Sequence, residues 1–356
     1  MSRVLITGIL GLVGSNYAAH CLARGDSVVG IDKISRGKSN YLNQRWLLSE
    51  YTTSDLQIIH GDVADEDVVH DALNRFDGVD VVIHCAAQSS VNKSIVNPEL
   101  DFRSNVIGTF TVLEALRTRL NNEAVFVFVA SNKVYDVTHW NTQLTADGYR
   151  FSDRNAGPAE TRPFYTDAKE PYGASKICGF YYTRCYATMY DMPAVICVPS
   201  GMYGPRQFGK EEQGWLGWMV IASELGLPFT IMGDGHQVRD MLHTDDVNSA
   251  LDLLIEIAPK YKGEVFNLGG GPRNAISLLS ALDEIKKYIG LNPYINYTDW
   301  RPQDNKCYIS NIERMVSLGW HPTVSIQEGI RRMCDWVKSE RTVIEKLYNR
   351  AGERNG

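Results

Sequence analysis

The sequence predicts a doubly wound α/β fold, in which helices cover both faces of a parallel sheet, followed by a smaller α+β lobe at the C-terminal end. Short β-branched runs alternate with amphipathic helical segments through the first half of the chain, which is the pattern of strands joined by crossover helices. The runs are apolar without strict alternation, as expected of strands covered on both faces. A glycine-rich turn joins the first run to the first helical segment, where folds of this class turn tightly from strand to helix.

Six apolar runs are the predicted strands of this sheet. In chain order they are residues 4–6, 27–31, 57–60, 79–84, 124–129 and 194–198. Helical patterns lie between and after them, over residues 13–24, over residues 105–120 and around the pair Tyr172 and Lys176. The alternation of strand and helix predicts parallel neighbours connected by helices.

After residue 199 the strand–helix alternation loosens. Helical patterns remain at residues 215–225, 244–257, 277–289 and 325–348, separated by loops marked with glycine and proline. We therefore predict a first domain over residues 1–199, to which a later segment of about 236–260 returns, and a smaller lobe mainly over residues 200–350. The polar, turn-rich stretch 137–163 is expected to be a surface excursion.

Composition excludes several classes of protein. The 356 residues are 44% hydrophobic and carry a formal net charge of -6, which gives no support for a nucleic-acid-binding surface. No stretch is long and apolar enough for a membrane span, so we expect a cytoplasmic protein. The seven cysteines are scattered, without a CxxC pair or a cluster at metal-ligand spacing. Buried reduced thiols and no metal site are therefore expected.

The turn after the first strand carries three glycines, Gly8, Gly11 and Gly14. Glycine lets a phosphate approach the backbone closely, and a helix N-terminus offers free N–H groups and a favourable dipole. Asp32 ends the second strand about 20 residues later, the spacing expected of a carboxylate that binds the adenosine ribose. Together these features predict a dinucleotide site; the alternative is a tight turn with a strand-capping aspartate.

Further polar residues bear on which dinucleotide binds. Asp62 follows the third predicted strand and is a candidate for the adenine amino group, with a loop-capping role as the alternative. Lys33 and Arg36 would suit a 2′-phosphate, which makes NADP the second choice. The carboxylate of Asp32 would repel that phosphate, so NAD is expected.

Tyr172 and Lys176 lie four residues apart, on one face of a predicted helix. A nearby ammonium lowers the pKa of a phenol, so that it can exchange a proton with a substrate hydroxyl near neutral pH. A Tyr-xxx-Lys pattern without further context is more often a pair of surface residues with no catalytic role. Here Ser131 follows the fifth predicted strand and is expected to orient a substrate oxygen in the same pocket. Asn105 is a candidate to hold a structural water or a main-chain kink.

These motifs together resemble the extended short-chain dehydrogenase/reductase superfamily, whose nucleotide-sugar epimerases and dehydratases bind NAD on a Rossmann sheet. The resemblance rests on Thr7 to Gly14, Asp32, Asp62, His84-Cys85-Ala86-Ala87-Gln88, Asn105, Ser131, Tyr172-x-x-x-Lys176, Tyr203 to Gln207 and Gly233 to Asp240. It covers nearly the whole chain. The cofactor contacts that it implies are Gly8, Gly11, Leu12, Val13, Gly14, Asp32, Lys33, Arg36, Asp62, Val63, Ala86, Ala87, Gln88, Asn105, Lys176 and Val198.

A narrower likeness is to the CDP-paratose 2-epimerase (CDP-tyvelose epimerase) group. It rests on Ser131 to Tyr135, Arg206 to Gly209, Gln213 to Trp215 and Trp300-Arg301-Pro302-Gln303-Asp304. The likeness implies that hydride leaves C2 of the sugar, giving a 2-keto intermediate that turns over and takes hydride back on its other face. Tyr172 would then be the acid/base, Lys176 its electrostatic partner and ribose contact, and Ser131 the hydroxyl orienter. Asn132 and Lys133 would approach the sugar.

Three departures from the family pattern leave the exact sugar open. Ala130 stands where many relatives have a second hydroxyl residue, and Asp136 replaces the glycine that usually follows the Val-Tyr pair. Residues 199–202 replace the usual arginine-led run. The redox residues themselves are unchanged.

The nucleotide half of the substrate carries a diphosphate, which arginine can grip with two hydrogen bonds. Arg239 and Arg301 are the best candidates, with a surface ion pair as the alternative for each, and Asp304 could accept from a ribose hydroxyl. The base and sugar pocket is expected to involve Gln207, Phe208, Gln213 and Trp215, although the run Trp215-Leu216-Gly217-Trp218 would serve equally well in a core.

The leading hypothesis is an NAD-dependent epimerase of a nucleotide-sugar, acting at C2 of a CDP-activated deoxysugar. A 4-epimerase or 4,6-dehydratase is the nearest alternative; dehydration is disfavoured because Asn132-Lys133 stands where a dehydratase carries an acid pair. A non-catalytic NAD-sensing regulator is an alternative of another class, disfavoured because Tyr172 and Lys176 are both present. The resemblance also implies a homodimer or homotetramer.

Overall fold

The computed structural model describes residues 1–119, 123–160, 170–211, 213–290, 293–301 and 304–352, with side chains as far as 348. Its strands, in chain order, are β1 (Arg3–Thr7), β2 (Ser27–Asp32), β3 (Leu56–His60), β4 (Val81–His84), β5 (Val125–Val129), β6 (Thr142–Thr145), β7 (Gly148–Phe151), β8 (Ala194–Pro199), β9 (Gly201–Tyr203), β10 (Pro228–Met232), β11 (Val238–His243), β12 (Val265–Leu268), β13 (Ala275–Ser277), β14 (Tyr294–Thr298) and β15 (Cys307–Tyr308).

The α-helices of the described residues are, in chain order, α1 (Leu12–Ala23), α2 (Lys38–Glu50), α3 (Glu66–Leu73), α4 (Val91–Val96), α5 (Pro98–Asp101), α6 (Gly108–Arg119), α7 (Pro171–Met189), α8 (Trp215–Leu225), α9 (Thr244–Ile257), α10 (Leu278–Ile289), α11 (Glu313–Ser317), α12 (Ile326–Ser339) and α13 (Arg341–Gly352). A π-helical turn, Phe102–Ile107, joins α5 to α6. Short 3₁₀ turns occur at Arg75–Asp77, Asn132–Val134 and Pro272–Asn274.

The chain divides into two compact units. The first comprises Met1–Asp136, Glu160–Pro199 and Val247–Asn267, and the second comprises Val137–Ala159, Ser200–Asp246 and Leu268–Gly356. The first unit contains a seven-stranded parallel sheet in the order β12-β8-β5-β4-β1-β2-β3. The strand order reverses between β1 and β4, as in a doubly wound sheet. The predicted fold class is therefore confirmed, and the sheet is a Rossmann sheet.

Burial on both faces explains why the strands of this sheet read as continuous apolar runs. Leu5 and Ile6 on β1 are both fully buried although they point to opposite faces. Their cross-strand partners on β2 and β4 are also apolar or glycine. One strand of this sheet, β12, was not among the six predicted from the sequence.

The second unit contains mixed sheets and helices. Its strand β11 pairs in parallel with β9 and β15 and antiparallel with β13, while β10 pairs with β14 and β6 pairs with β7 as a hairpin. Helices α8, α10 and α12 pack together. The buried face of α12 repeats at helical spacing through Ile330, Met333 and Val337. Its mixed sheets and packed helices make this unit the predicted smaller α+β lobe.

The boundaries of the units differ from those expected from the sequence in two places. Residues 137–159 contain the β6–β7 hairpin, and β7 contacts β11, β13 and β15 of the second unit. Residues 236–246 also belong to the second unit, because Asp246 accepts hydrogen bonds from Thr323 and Val324. Residues 161–163 of the expected excursion lie outside the described residues.

Smaller differences concern helices and cysteines. The pattern at 325–348 forms two helices that break at Glu340, and residue 120, the expected end of α6, lies outside the described residues. Cys178 and Cys185 are exposed, not buried as expected, because they lie two turns apart on the outer side of α7. Within the described part of the chain, no helix has both the length and the apolar character to cross a membrane.

Candidate active site

The turn between β1 and α1 permits very close backbone approach. Gly8 has a φ of 71°, and a Cβ there would lie 2.9 Å from the main-chain nitrogen of Ala86. A Cβ at Gly14 would lie 2.3 Å from the Gly8 carbonyl oxygen. Gly11 is the N-cap of α1. The first-turn N–H groups, which have no acceptor within the helix, belong to Leu12, Val13 and Gly14, so this turn can receive a phosphate.

Asp32 lies at the carboxyl end of β2 and is 8% exposed. Its Oδ2 accepts from Leu10 N at 3.0 Å and its Oδ1 from Ile34 N at 2.8 Å. Burial raises the pKa of this carboxyl above its usual value, and the two backbone hydrogen bonds oppose that rise. Each carboxylate oxygen keeps a further lone pair, with which Asp32 can accept from a sugar hydroxyl.

A cavity at the carboxyl ends of β1 to β4 gathers seven of the residues predicted to bind the cofactor. These are Gly8, Asp32, Lys33, Asp62, Val63, Ala86 and Ala87. Ile31, Ser35, Gly61 and Ser104 complete its described lining. A glycine turn that a Cβ would obstruct, with a buried carboxylate beside it, fits the adenosine half of a dinucleotide.

The charged side chains at this cavity form ion pairs and hydrogen bonds with their neighbours. Lys33 Nζ donates to Ser104 Oγ at 2.5 Å and lies 3.8 Å from Asp62 Oδ2. Arg103 Nε lies 3.1 Å from the same oxygen. Asp62 thus has two cationic neighbours that the sequence did not indicate. Of the other predicted contacts, Val198 is buried on β8 and the Arg36 main chain is bonded to Asn40.

Tyr172 is the second residue of α7 and is 8% exposed. The Ser131 hydroxyl, just beyond β5, is also buried, and it lowers the pKa of the Tyr172 phenol. The Ser131 Oγ also accepts from Lys133 N at 3.3 Å, which starts the 3₁₀ turn holding Asn132 and Lys133. Both of these side chains are half-buried.

The expectation that Lys176 lowers the pKa of Tyr172 is not met. Burial is the largest influence and raises the pKa of Tyr172 to about 12, although the Ser131 hydroxyl opposes this rise. The Lys176 ammonium donates to the Val129 carbonyl oxygen at 2.7 Å and lies 4.7 Å from the Phe128 ring centre. Burial lowers the pKa of Lys176 to about 8. The sequence gives the spacing of the two groups but not their desolvation.

Asn105 lies within the π-helical turn and forms hydrogen bonds with two other segments of the first unit. Its Oδ1 accepts from Gln88 N at 2.8 Å, and its Nδ2 donates to Gln88 O at 3.1 Å and to Ser175 Oγ at 2.8 Å. The Ser175 hydroxyl in turn donates to the Tyr172 carbonyl oxygen at 2.7 Å. Asn105 therefore connects the segment after β4 to the helix that carries Tyr172.

Sequence reasoning missed two acidic residues beside Tyr172. Glu170 is the N-cap of α7, and Asp101, at the end of α5, is fully buried. The negative charges of both carboxylates raise the pKa of the Tyr172 phenol. The available signal for Glu170 was Pro171, since proline favours the first position of a helix after an acceptor side chain. No local pattern marks Asp101.

The second unit contains the side chains that are predicted to bind the nucleotide part of the substrate. Arg239 Nη2 donates to Asp304 Oδ1 at 2.7 Å, so two of the predicted residues form an ion pair. Arg301 Nε lies 2.8 Å from Met232 Sδ. Residues 302 and 303, which belong to the same motif, lie outside the described residues.

The remaining predicted substrate residues differ in their exposure. Phe208 is 4% exposed and its ring meets Trp336 edge-on, with centroids 5.4 Å apart, so it packs in the interior of the second unit. Gln207 donates to Met202 O at 3.1 Å. Gln213 and Trp215 are half-buried around the start of α8.

Comparison with known proteins identifies the family. The sequence profile of the NAD dependent epimerase/dehydratase family matches residues 4–269. The chain is 33% identical to the CDP-paratose 2-epimerase of Salmonella typhi, over 95% of this chain and 99% of that protein. It is 29% identical to the putative UDP-glucose 4-epimerase of Methanocaldococcus jannaschii, over 94% of this chain and 98% of that protein.

A solved structure agrees with these sequence relatives. The UDP-glucose 4-epimerase of Thermus thermophilus, in complex with NAD, superposes with a TM-score of 0.77 at 27% identity, over 94% of this chain and 99% of that one. The predicted resemblance and the predicted cofactor, NAD, are confirmed. The chain therefore belongs to the NAD dependent epimerase/dehydratase family and is an NAD-dependent enzyme.

Proposed function

We propose that this enzyme inverts C2 of a CDP-activated deoxysugar through a transient keto-sugar. The observation that carries the proposal is a buried pair of hydroxyl groups, Ser131 just beyond β5 and Tyr172 on α7, in which Ser131 lowers the pKa of the Tyr172 phenol. The choice of C2 and of CDP is supported by the match to a CDP-paratose 2-epimerase over 99% of its length.

The proton chemistry is assigned to Tyr172. NAD supplies the hydride acceptor and donor when it is bound. In its phenolate form, Tyr172 takes the proton of the sugar hydroxyl as the carbinol becomes a ketone, and the phenol so formed returns it after the sugar has turned over. Ser131 orients the same oxygen, and the buried Lys176 ammonium adds positive charge to this part of the first unit. A 4,6-dehydratase would need an acid pair after Ser131, where this chain has Asn132 and Lys133.

The substrate can be tested directly. The protein is incubated with CDP-, UDP- and dTDP-sugars, and the products are read by NMR. We expect interconversion of C2 epimers of a CDP-sugar without net release of NADH, because the cofactor must be retained between the two half-reactions. Inversion at C4, or loss of water, would redirect the proposal to the other chemistries of the family.

The role of Tyr172 has its own test. Tyr172→Phe keeps the ring and removes the proton, so turnover should fall by about 10²–10⁴-fold while NAD affinity stays as in the wild type. Turnover is measured by NMR and NAD binding by calorimetry. Wild-type turnover in this variant would contradict the assignment.

We also propose that the enzyme forms a homo-oligomer through α6 and α7. Phe110 and Tyr182 are 41% and 43% exposed and their rings contact each other, with centroids 5.8 Å apart. Phe102 and Tyr181 are at least half exposed. A cluster of exposed aromatic side chains is typical of a surface that another subunit covers.

A further inference from the structure

One face of the β6–β7 hairpin in the second unit is polar. Gln143 pairs with Arg150 across the two strands, and side chains two residues apart along a strand point to the same side. Thr145 and Ser152 therefore share the face of Gln143 and Arg150. The opposite face carries the buried ring of Phe151. The hairpin is thus amphipathic.

The polar face of the hairpin lines a cavity of about 550 Å³, whose described lining residues all belong to the second unit. Phe151, Pro272 and Ile309 add apolar groups to this lining. The volume is typical of small-molecule sites, which hold about 300–1,000 Å³. None of the side chains predicted to bind NAD or the nucleotide-sugar belongs to the described lining.

The described lining of this cavity contains one positive charge that no carboxylate offsets. Arg154 Nε and Nη2 donate to the Asp153 carboxylate at 3.0 and 2.6 Å, so these two charges offset each other. Arg150 is half-buried, and its Nη1 donates to the Tyr149 carbonyl oxygen at 3.1 Å. Among the described residues, Arg150 has no acidic partner. An arginine that is partly removed from water without a counter-ion favours an anionic ligand.

The wall beside Arg150 is held in place by packing. The Arg154 guanidinium carbon lies 4.1 Å from the centre of the Trp140 ring, and the Trp140 ring meets Phe151 edge-on with centroids 5.0 Å apart. Phe151 is only 3% exposed. A ligand therefore meets a wall that is already ordered, which lowers the entropy lost on binding.

We propose that this cavity binds a small phosphate ester, such as a sugar phosphate, with the phosphate group on the Arg150 guanidinium. A guanidinium donates two parallel hydrogen bonds to a phosphate, and the exposed Ser152 hydroxyl can donate to a third oxygen. The amide groups of Gln143 and Asn155 can bond hydroxyls of the ester. Inorganic phosphate would fill only a small part of the cavity, so an ester is the better match. The site goes beyond the proposed function, because it involves none of the residues around Tyr172.

Calorimetry with glucose 1-phosphate as the probe tests the site in the full-length protein. Arg150→Gln should weaken binding by about tenfold or more, because it removes a charged hydrogen-bond donor. Arg150→Lys keeps the charge but loses the paired donors, so its affinity should lie between those of the wild type and Arg150→Gln. Arg45→Gln, at an exposed arginine on α2 of the first unit, is the matched control and should keep the wild-type affinity.

Amide hydrogen exchange shows where the probe binds. Exchange over residues 142–155 should slow when glucose 1-phosphate is added to the wild type, because contacts with the hairpin oppose its local opening. The same segment should show no change in Arg150→Gln. Arg239→Gln, which alters a residue predicted to bind the nucleotide, should keep this protection.

The inference is wrong if the wild type does not bind glucose 1-phosphate at millimolar concentrations. Loss of binding in Arg239→Gln but not in Arg150→Gln would also contradict it, because the probe would then occupy the predicted nucleotide site. Inorganic phosphate that binds as tightly as the ester would rule out recognition of an ester. If Arg150→Gln does not fold, Arg150→Lys decides, because it also removes the paired donors.

Discussion

Burial and hydrogen bonding set the chemistry of single residues in the first unit. Asp32, Tyr172 and Lys176 are all less than one-tenth exposed, and burial is the largest influence on the pKa of each. Desolvation disfavours the charged form, so it raises the pKa of the acid and the phenol and lowers that of the lysine. Changes of charge at these residues should therefore have larger effects than at exposed positions.

Asp32→Asn should weaken NAD binding by about tenfold or more, because a hydrogen bond to a charged group contributes about 1.5–3 kcal/mol. Calorimetry measures the dissociation constant. The matched control is Asp26→Asn, which changes another buried aspartate that accepts from Ser2 N at 2.7 Å, outside the described lining of the cavity. An unchanged affinity in Asp32→Asn would show that this carboxylate does not hold the ribose.

Lys176 makes stability depend on pH with a defined sign. Its folded pKa, about 8, lies below its ordinary value of 10.5, so the folded state releases the proton first. The cost of burying the charge is full below about pH 8 and fades as the pH rises toward 10.5. Relative to Lys176→Met, the wild type should therefore gain about 2 kcal/mol of unfolding free energy between pH 8 and pH 10.

Urea unfolding of both proteins at the two pH values measures this difference. Lys38→Met, at an exposed lysine on α2, is the control and should show no such pH dependence. A constant difference between wild type and Lys176→Met would mean that Lys176 keeps its ordinary pKa in the folded protein.

At the scale of elements, the site depends on how helices begin. The start of α1 lies against the Gly8 turn, α7 starts at the Glu170 cap, and the π-helical turn before α6 carries Asn105. A π-helical turn inserts an extra residue into the helical spacing. Here Asn105 bonds main-chain atoms of Gln88 from within that turn.

Gly14→Ala should disturb the first of these elements. The added Cβ would lie 2.3 Å from the Gly8 carbonyl oxygen and 2.7 Å from Ile9 Cα, so the backbone must shift. We expect a loss of about 1–3 kcal/mol of unfolding free energy together with weaker NAD binding. Chemical denaturation and calorimetry measure the two effects.

The control for this change is Ala23→Gly at the exposed end of α1. It should cost about 0.5–1 kcal/mol through helix propensity and leave NAD affinity unchanged. Equal NAD affinities in Gly14→Ala and wild type would mean that the position of this helix start does not matter for the cofactor.

At the scale of the whole molecule, the exposed aromatic cluster of α6 and α7 predicts self-association. Phe110→Ser combined with Tyr182→Ser should shift the protein to a monomer, because the change removes apolar area that a second subunit would bury. Light scattering after size exclusion measures the mass. Tyr294→Ser, at an exposed tyrosine on β14, is the control. A wild-type protein that is already monomeric would contradict the proposal.

The strand and helix pattern of the first unit, the glycine turn and the family motifs could all be predicted from the sequence. These depend on backbone periodicity and on side-chain types at fixed spacing, which the chain carries locally. The family and its cofactor could also be predicted, because the spacing of motif residues such as Asp32 and Tyr172 can be read from the sequence alone.

Which groups influence these residues could be seen only in the folded protein. Asp101 and Glu170 both raise the pKa of Tyr172, Arg103 forms an ion pair with Asp62, and Phe208 packs against Trp336. The assignment of the β6–β7 hairpin to the second unit belongs here too. Most of these neighbours are far apart in the chain, so no local pattern indicates them. Glu170 and Tyr172 are close in the chain, but the pKa of Tyr172 depends mainly on burial, which arises from packing.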